Sequence, residues 1–275
     1  MSVATDDPLA PPAATVERWA WDYIRSTDAA YKLQPPPIPA TWEDGAPARC
    51  LTSPGRSLGW RVVDKAPRRV KRGSLAHHRR RCQLFHTFLH HELQAAELMG
   101  WAILAFPAAP RAFRRGLVSI CVDELRHLQM YRGYLERQGA RFGDFPLRDW
   151  FWTRVPLSTQ PAQFVAVMGI GFEGGNLDHA ERFATWFRDA GDVDAVAILD
   201  VVRSEEVRHV RFAAHWFGEF TGGVEFDAWR AHLPPPLTPT VMRGRELNRH
   251  DRARSGLSDT FLDRLAEWSC ASPGC

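Results

Sequence analysis

The chain has 275 residues, 45% of them hydrophobic and 24% charged, with a formal net charge of +3. That is the composition of a soluble globular protein with one substantial core, so one domain with arms is expected rather than two domains. No apolar run approaches the ~20 residues of a membrane span, and the small positive surplus does not mark a nucleic-acid binder. Five cysteines (Cys50, Cys82, Cys121, Cys270, Cys275) are odd in number and lack C-x-x-C spacing, which suits free thiols in a reducing cytoplasm. Met1 to Ala14 is Pro-rich without an apolar h-region, so no signal peptide is expected.

Residues 1–74 read as an arm, with a short helix over about 15–26 and then extended chain through Pro35-Pro36-Pro37-Ile38-Pro39 and Pro54-Gly55. A basic run follows (Arg68, Arg69, Lys71, Arg72, then His77 to Arg81). It stands at or before the start of a helix, where the dipole disfavours cations, so either acids elsewhere neutralise it or it meets an anionic ligand. The first long helix is expected from about Ser74 to Ala105 and is broken by Phe106-Pro107-Ala108-Ala109-Pro110. The second starts at Pro110 or Arg111 and ends before Gly139. An aromatic-rich connection of about twenty residues, Ala140 to Gln160, leads to a third helix from about Pro161 to Arg188. After the turn Asp189-Ala190-Gly191-Asp192, with Asp192 as N-cap, a fourth helix runs from about Val193 to Phe220 and stops at Gly222-Gly223. Residues 222–275 read as a second, Pro-rich arm with one short helix near its end.

The pair of hairpins repeats one pattern of side chains. Glu92, Glu124 and His127 recur as Glu173, Glu206 and His209, at offsets of 81, 82 and 82 residues. Within each cluster Glu and His are three apart, which places both on one helix face. Glu92 and the Glu124/His127 pair are nearly equidistant from the first turn, as Glu173 and Glu206/His209 are from the second, so antiparallel packing brings each trio to one level. Two lone Glu and two Glu-x-x-His motifs pointing inward are the donor set of a di-metal carboxylate site in a four-helix bundle. Carboxylates bridge hard cations, imidazole suits iron, manganese or zinc, and four such carboxylates without metal would repel one another. Glu97 is the rival ligand to Glu92. It lies opposite Ser119, more than a turn from His127, and is placed behind the ligands.

Each motif Glu is preceded by an acid, Asp123 or Glu205. A ligand His usually donates its free ring N–H to a carboxylate, so Asp123 is expected to serve His209 and Glu205 to serve His127, across the second and fourth helices. The alternative is pairing with Arg126 and Arg208, three residues on. Tyr131, one turn beyond His127, is a candidate redox relay at the catalytic site; a core tyrosine with a bonded hydroxyl is the plainer alternative. Glu173 lies in Met168-Gly169-Ile170-Gly171-Phe172-Glu173-Gly174-Gly175, where each glycine costs a helix about 1 kcal/mol relative to Ala. Something must offset this. Gly169, Gly171 and Gly174 either line a substrate pocket beside the metals, with a π-bulge, or permit close packing.

These residues resemble the ferritin-like di-iron carboxylate superfamily over roughly residues 76–220. A single long crossover between helices two and three is also the ferritin-like way to join two hairpins. More closely, His90-His91-Glu92-Leu93-Gln94-Ala95, Phe106-Pro107, Asp123-Glu124 to His127, Gly143-Asp144, Asn176-Leu177-Asp178 and Glu206 to His209 with Trp216 resemble an uncharacterised bacterial ferritin-like family, domain of unknown function 455, with likeness extending into both arms. The resemblance implies an all-α ferritin-like four-helix bundle over 75–221, and two iron ions held by Glu92, Glu124, His127, Glu173, Glu206 and His209. Manganese or a mixed manganese/iron pair suits the same donors. Arylamine N-oxygenases of this superfamily add a His one turn before the last ligand Glu; here Val202 and Arg203 stand there, which disfavours that activity.

The leading expectation is an O2-activating di-iron oxidase or oxygenase acting on a small organic substrate, with an external electron donor. Iron handling as a ferroxidase, or peroxide scavenging, is the alternative. A third is an RNA-modifying hydroxylase docking through residues 68–81, although nucleic acid is not an expected partner. No membrane partner is expected, and a homodimer is compatible with the sequence.

Overall fold

The structure, a computed structural model, describes residues 9–65 and 70–269. Arg68, Arg69, Cys270 and Cys275 therefore lie outside the described residues. The fold is all-α. Its described residues contain no strand, only the single β-bridges Thr15 to Thr41 and Val62 to Leu147. No helix among them is long and apolar enough to cross a membrane.

Four long helical segments carry the molecule. Helix α3 (His78–Ala105) and α4 (Arg111–Arg137) form one hairpin around the Pro107/Pro110 turn. The second hairpin joins α6 (Gly174–Asp189) to α7 (Val193–Thr221). Its turn has Gly191 at φ +72°, and Asp192 caps α7 by accepting from the Ala195 N–H at 3.1 Å. Gly222 at φ +86° ends α7 in a left-handed C-cap, a conformation that costs glycine least. The long crossover of residues 138–160 has no long helix of its own and lays Phe151 on Phe172, ring centroids 4.8 Å apart.

The third helix is not uniform. After one short turn, α5 (Pro161–Phe164), the backbone is π-helical over Val165–Glu173 before it continues as α6. The π-bulge suggested by the glycines is thus a whole π segment of 9 residues, and Glu173 is its last residue. Wider i→i+5 turns are rare and concentrate at functional sites.

The expected start of the first long helix at Ser74 needs correction. Residues Arg72–Ala76 form a 3₁₀ turn, and α3 begins at His78. The Ser74 hydroxyl is used inside that turn, accepting from the Lys71 N–H at 3.1 Å and donating to its carbonyl, so it caps the turn instead of the helix. Acids of the second hairpin meet the basic run here. Arg72 pairs with Asp189 at 2.6 Å and Arg81 with Asp192 at 3.2 Å.

Both arms share the core of the four segments. Helix α1 (Val16–Arg25) packs on α3 where Gly100 meets Ala20; a methyl built on Gly100 would stand 3.3 Å from the Ala20 side chain. A short α2 (Ala29–Leu33) follows. The C-terminal arm contributes α8 (Phe226–Ala231), α9 (Arg249–Arg254) and α10 (Asp259–Glu267), more helix than its prolines suggest.

Candidate metal centre

The six candidate ligands converge. Glu92 comes from α3, Glu124 and His127 from α4, Glu173 from the end of the π segment, and Glu206 and His209 from α7. All are buried, none more than 5% exposed. They form two groups whose donor atoms lie within 4.8 Å of one another: Glu92, Glu124, His127 and Glu206 in one, Glu124, Glu173, Glu206 and His209 in the other. Glu124 and Glu206 belong to both. His127 Nδ1 stands 3.5 Å from Glu124 and 3.8 Å from Glu92, and His209 Nδ1 stands 3.0 Å from Glu124 and 4.0 Å from Glu173. These buried Glu and His groups could hold metal ions.

The polar atoms themselves test that fit. Both oxygens of Glu124, both of Glu173 and Nδ1 of His127 are buried without a hydrogen-bond partner among the described residues. Leaving one buried polar group unsatisfied costs about 1–3 kcal/mol, and charged groups cost more. The titration behaviour agrees. Burial, reinforced by Glu124, pushes the Glu92 carboxyl well above its ordinary range, and burial with the Glu206 charge does the same to Glu173. Burial would depress His127, but Glu124 and Glu92 outweigh it and raise the ring to about 11. His209 is likewise raised, by Glu206, Asp123 and Glu124 against burial. Without a cation the cluster holds protons in its place, and this donor set fits divalent metal.

The acids before each motif cross over as expected. Glu205 on α7 lies 2.7 Å from His127 Nε2, and Asp123 on α4 lies 3.3 Å from His209 Nε2. With each Nε2 proton on its acid, both Nδ1 atoms face the cluster. The alternative Arg pairing is present at the same time. Arg126 donates to Asp123 at 3.1 Å and also to Glu205, while Arg208 lies 3.6 Å from Asp123 and 3.8 Å from Glu205. One arginine thus ties both orienting acids together across α4 and α7. The hydrogen bond from His209 and the pair with Arg126 hold Asp123 down to about 2 against its partial burial. Removing such orienting partners typically costs about 10–100-fold in metal affinity. Asp123→Asn and Glu205→Gln should each show that loss in a chelator-competition titration, with the metal content unchanged at saturation.

Glu97 does not join either group of donors. It points to the other side of α3, where its carboxylate accepts from Lys32 at 2.6 Å, from Arg56 at 2.6 and 2.9 Å, and from the Trp152 indole at 2.7 Å. Asn176 is a functional neighbour the spacing of acids did not disclose: its amide donates to Glu206 at 3.3 Å. Two residues on, Asp178 binds buried Arg252 and the Gly244 and Asn248 N–H groups, fastening the C-terminal arm. Tyr131 is buried against Phe85 and Phe88, with centroids at 5.4 and 5.7 Å. Burial, then the charges of Glu92, Glu206 and Glu124, raise its hydroxyl well above 10. The place of Tyr131 among these rings is that of a core tyrosine.

The pocket expected along the glycines needs correction at two of its three positions. A methyl on Gly171 would stand 2.7 Å from Met242 Sδ, and one on Gly174 would stand 2.9 Å from an Arg252 guanidinium nitrogen. These glycines permit close packing of the C-terminal arm. Gly169 borders a space of about 10 Å³ that reaches Glu173 and His209, while also packing against Ala213. Gly171→Leu should therefore lower thermal stability and metal content together, because overpacking a tight contact costs about 1–3 kcal/mol. Unchanged melting with full metal would contradict it.

Among proteins with a known sequence likeness, an uncharacterised protein of Haemophilus influenzae is 22% identical over 159 residues, 57% of this chain. The chain spans about half the length of that relative, 55% of it. No solved structure matches the chain. The sequence profile of the family described as "Protein of unknown function (DUF455)" matches residues 13–263, and the chain belongs to that family.

Proposed function

We propose that the protein is a ferritin-like di-iron oxidoreductase that activates O2 to oxidise a small organic substrate. The observation that carries this reading is the pair of four-residue groups sharing Glu124 and Glu206. Shared carboxylates make the two groups one dinuclear site, with Glu92 and His127 closing one end and Glu173 and His209 the other. Each long hairpin contributes one lone Glu and one Glu-x-x-His, the ferritin-like division of labour. Bound as a ferrous pair, iron would supply reducing equivalents for O2. The chain's own residues set the conditions. Asp123 and Glu205 fix the imidazoles, the apolar walls around Glu173 keep that end of the cluster away from bulk solvent, and Arg126 locks the two acids in register.

Iron handling or peroxide removal is the second reading, and the small cavity beside Glu173 favours it, since about 10 Å³ holds roughly one water molecule. One experiment separates the two. Metal-free protein loaded anaerobically with ferrous iron and then exposed to O2 should consume O2 faster than buffer does. Small molecules extracted from cells, together with a reductant, should extend uptake beyond the iron supplied. Uptake that stops at the iron supplied favours iron handling, and none above buffer defeats both readings.

A further inference from the structure

We propose that a small, uncharged, apolar molecule reaches the Glu173/His209 end of the cluster through the seam between α4 and α7, and that the Phe212 ring closes this route. The inference rests on the di-metal reading only for what such a molecule would meet.

The cavity beside Glu173 and His209 is walled by apolar side chains of α3, α4 and the third helix, among them Met99, Leu117, Ile120 and Phe164. Glu173 and His209 form its one polar corner, and the other walls offer a polar solute no partner. Of the ten lining residues, Phe212 alone is not buried. Phe212 is therefore the wall residue that also reaches solvent.

The ring lies where α4 has no side chain to hold it off. A methyl built on Gly116 would stand 2.1 Å from Phe212 Cε2. The ring also lies nearly parallel to Phe113, at 5.6 Å and 12°. Phe212 is three residues beyond His209 on α7, so its rotation opens a path directly at a ligand without moving any helix. Elsewhere the third helix is covered: Met242 lies over Gly171 and Gly175, and Arg252 over Gly174.

Xenon, a small apolar probe, tests this in crystals of the metal-free full-length protein, since dry apolar cavities bind it. Phe212→Ala should show xenon in contact with Gly169 and Glu173 at several-fold higher occupancy than wild type. Gly116→Ala, which forces the ring away from the other helix, should raise it too. Phe212→Trp should show no xenon there. Equal occupancy in wild type and both opening variants, or no xenon at this position in either, overturns the proposal. Because no metal is present, this outcome is independent of the di-metal reading, which the metal content of ligand variants tests.

Discussion

Glu124→Ala should leave the protein with less than half of the wild-type metal, measured by elemental analysis after loading and removal of excess ion. Glu124 belongs to both four-residue groups, so its loss takes a donor from each group, whereas Glu92→Ala takes a donor from one group only. The substitution should cost stability both with and without metal. In the metal-free protein Glu124 is held well below its ordinary pKa by Glu92, His127 and His209 despite complete burial, so it is the ionised member of a crowded set. It is also the counter-charge of the raised His127 and His209 rings, so metal-free Glu124→Ala should melt lower than metal-free wild type. The metal-dependent gain should collapse, because a ligand at 1,000 times its Kd adds about 4 kcal/mol to the folded state. Full metal in Glu124→Ala would sink the six-ligand assignment.

Much of this site is legible in the sequence because local rules determine it. Prolines 107 and 110 must break a helix, and antiparallel packing then makes distance from the turn a measure of height. The offsets of 81 and 82 residues identify the donors without knowledge of their surroundings. The acids at 123 and 205 are legible for a related reason: a residue beside a ligand on a helix faces the adjoining helix. The choice between His and Arg as their partner was not a choice, since a carboxylate has four lone-pair sites and Asp123 and Glu205 each use them on both.

What escapes the sequence depends on distant chain. Glycines state that something comes close, but not what. Gly171 and Gly174 receive Met242 and Arg252 from an arm about seventy residues on, and no periodicity announces that docking. The length of the π segment is equally silent, because an i→i+5 helix has no hydrophobic signature of its own. The partners of Glu97 are 41, 55 and 65 residues away. An acid on a buried helix face reads equally well as a ligand or as half of an ion pair until the opposing cation is placed.

Glu97→Ala should therefore be the most destabilising single substitution and should spare metal binding. Lys32 is fully buried, and its ammonium has Glu97 and the Ile24 carbonyl as acceptors, at 2.6 and 2.7 Å. Arg56 keeps Asp149 at 2.7 Å but loses both bonds to Glu97. Breaking a buried pair by removing one partner costs about 3–5 kcal/mol, which lowers the melting temperature by on the order of 10 °C in a chain of this size. Lys32 already has its pKa lowered by burial, with Glu97 the main opposing influence, so the variant should give up its ammonium proton more readily still. Replacing both partners, Lys32→Met with Glu97→Leu, should cost less than the sum of the single changes, since no buried charge is then left alone. The same network predicts the acid limb of stability. Despite burial, His90 and Arg56 hold Asp149 at about 2, and Arg56 and Lys32 hold Glu97 below its ordinary value. Both groups are depressed in the folded state, so their contribution is complete above the unfolded carboxylate values near 4 and is lost as pH falls from there toward about 2. Wild type should lose stability steeply over that interval, and Glu97→Ala less steeply. A Glu97→Ala protein that melts like wild type but has lost its metal would make Glu97 a ligand after all and would reverse the roles of Glu92 and Glu97.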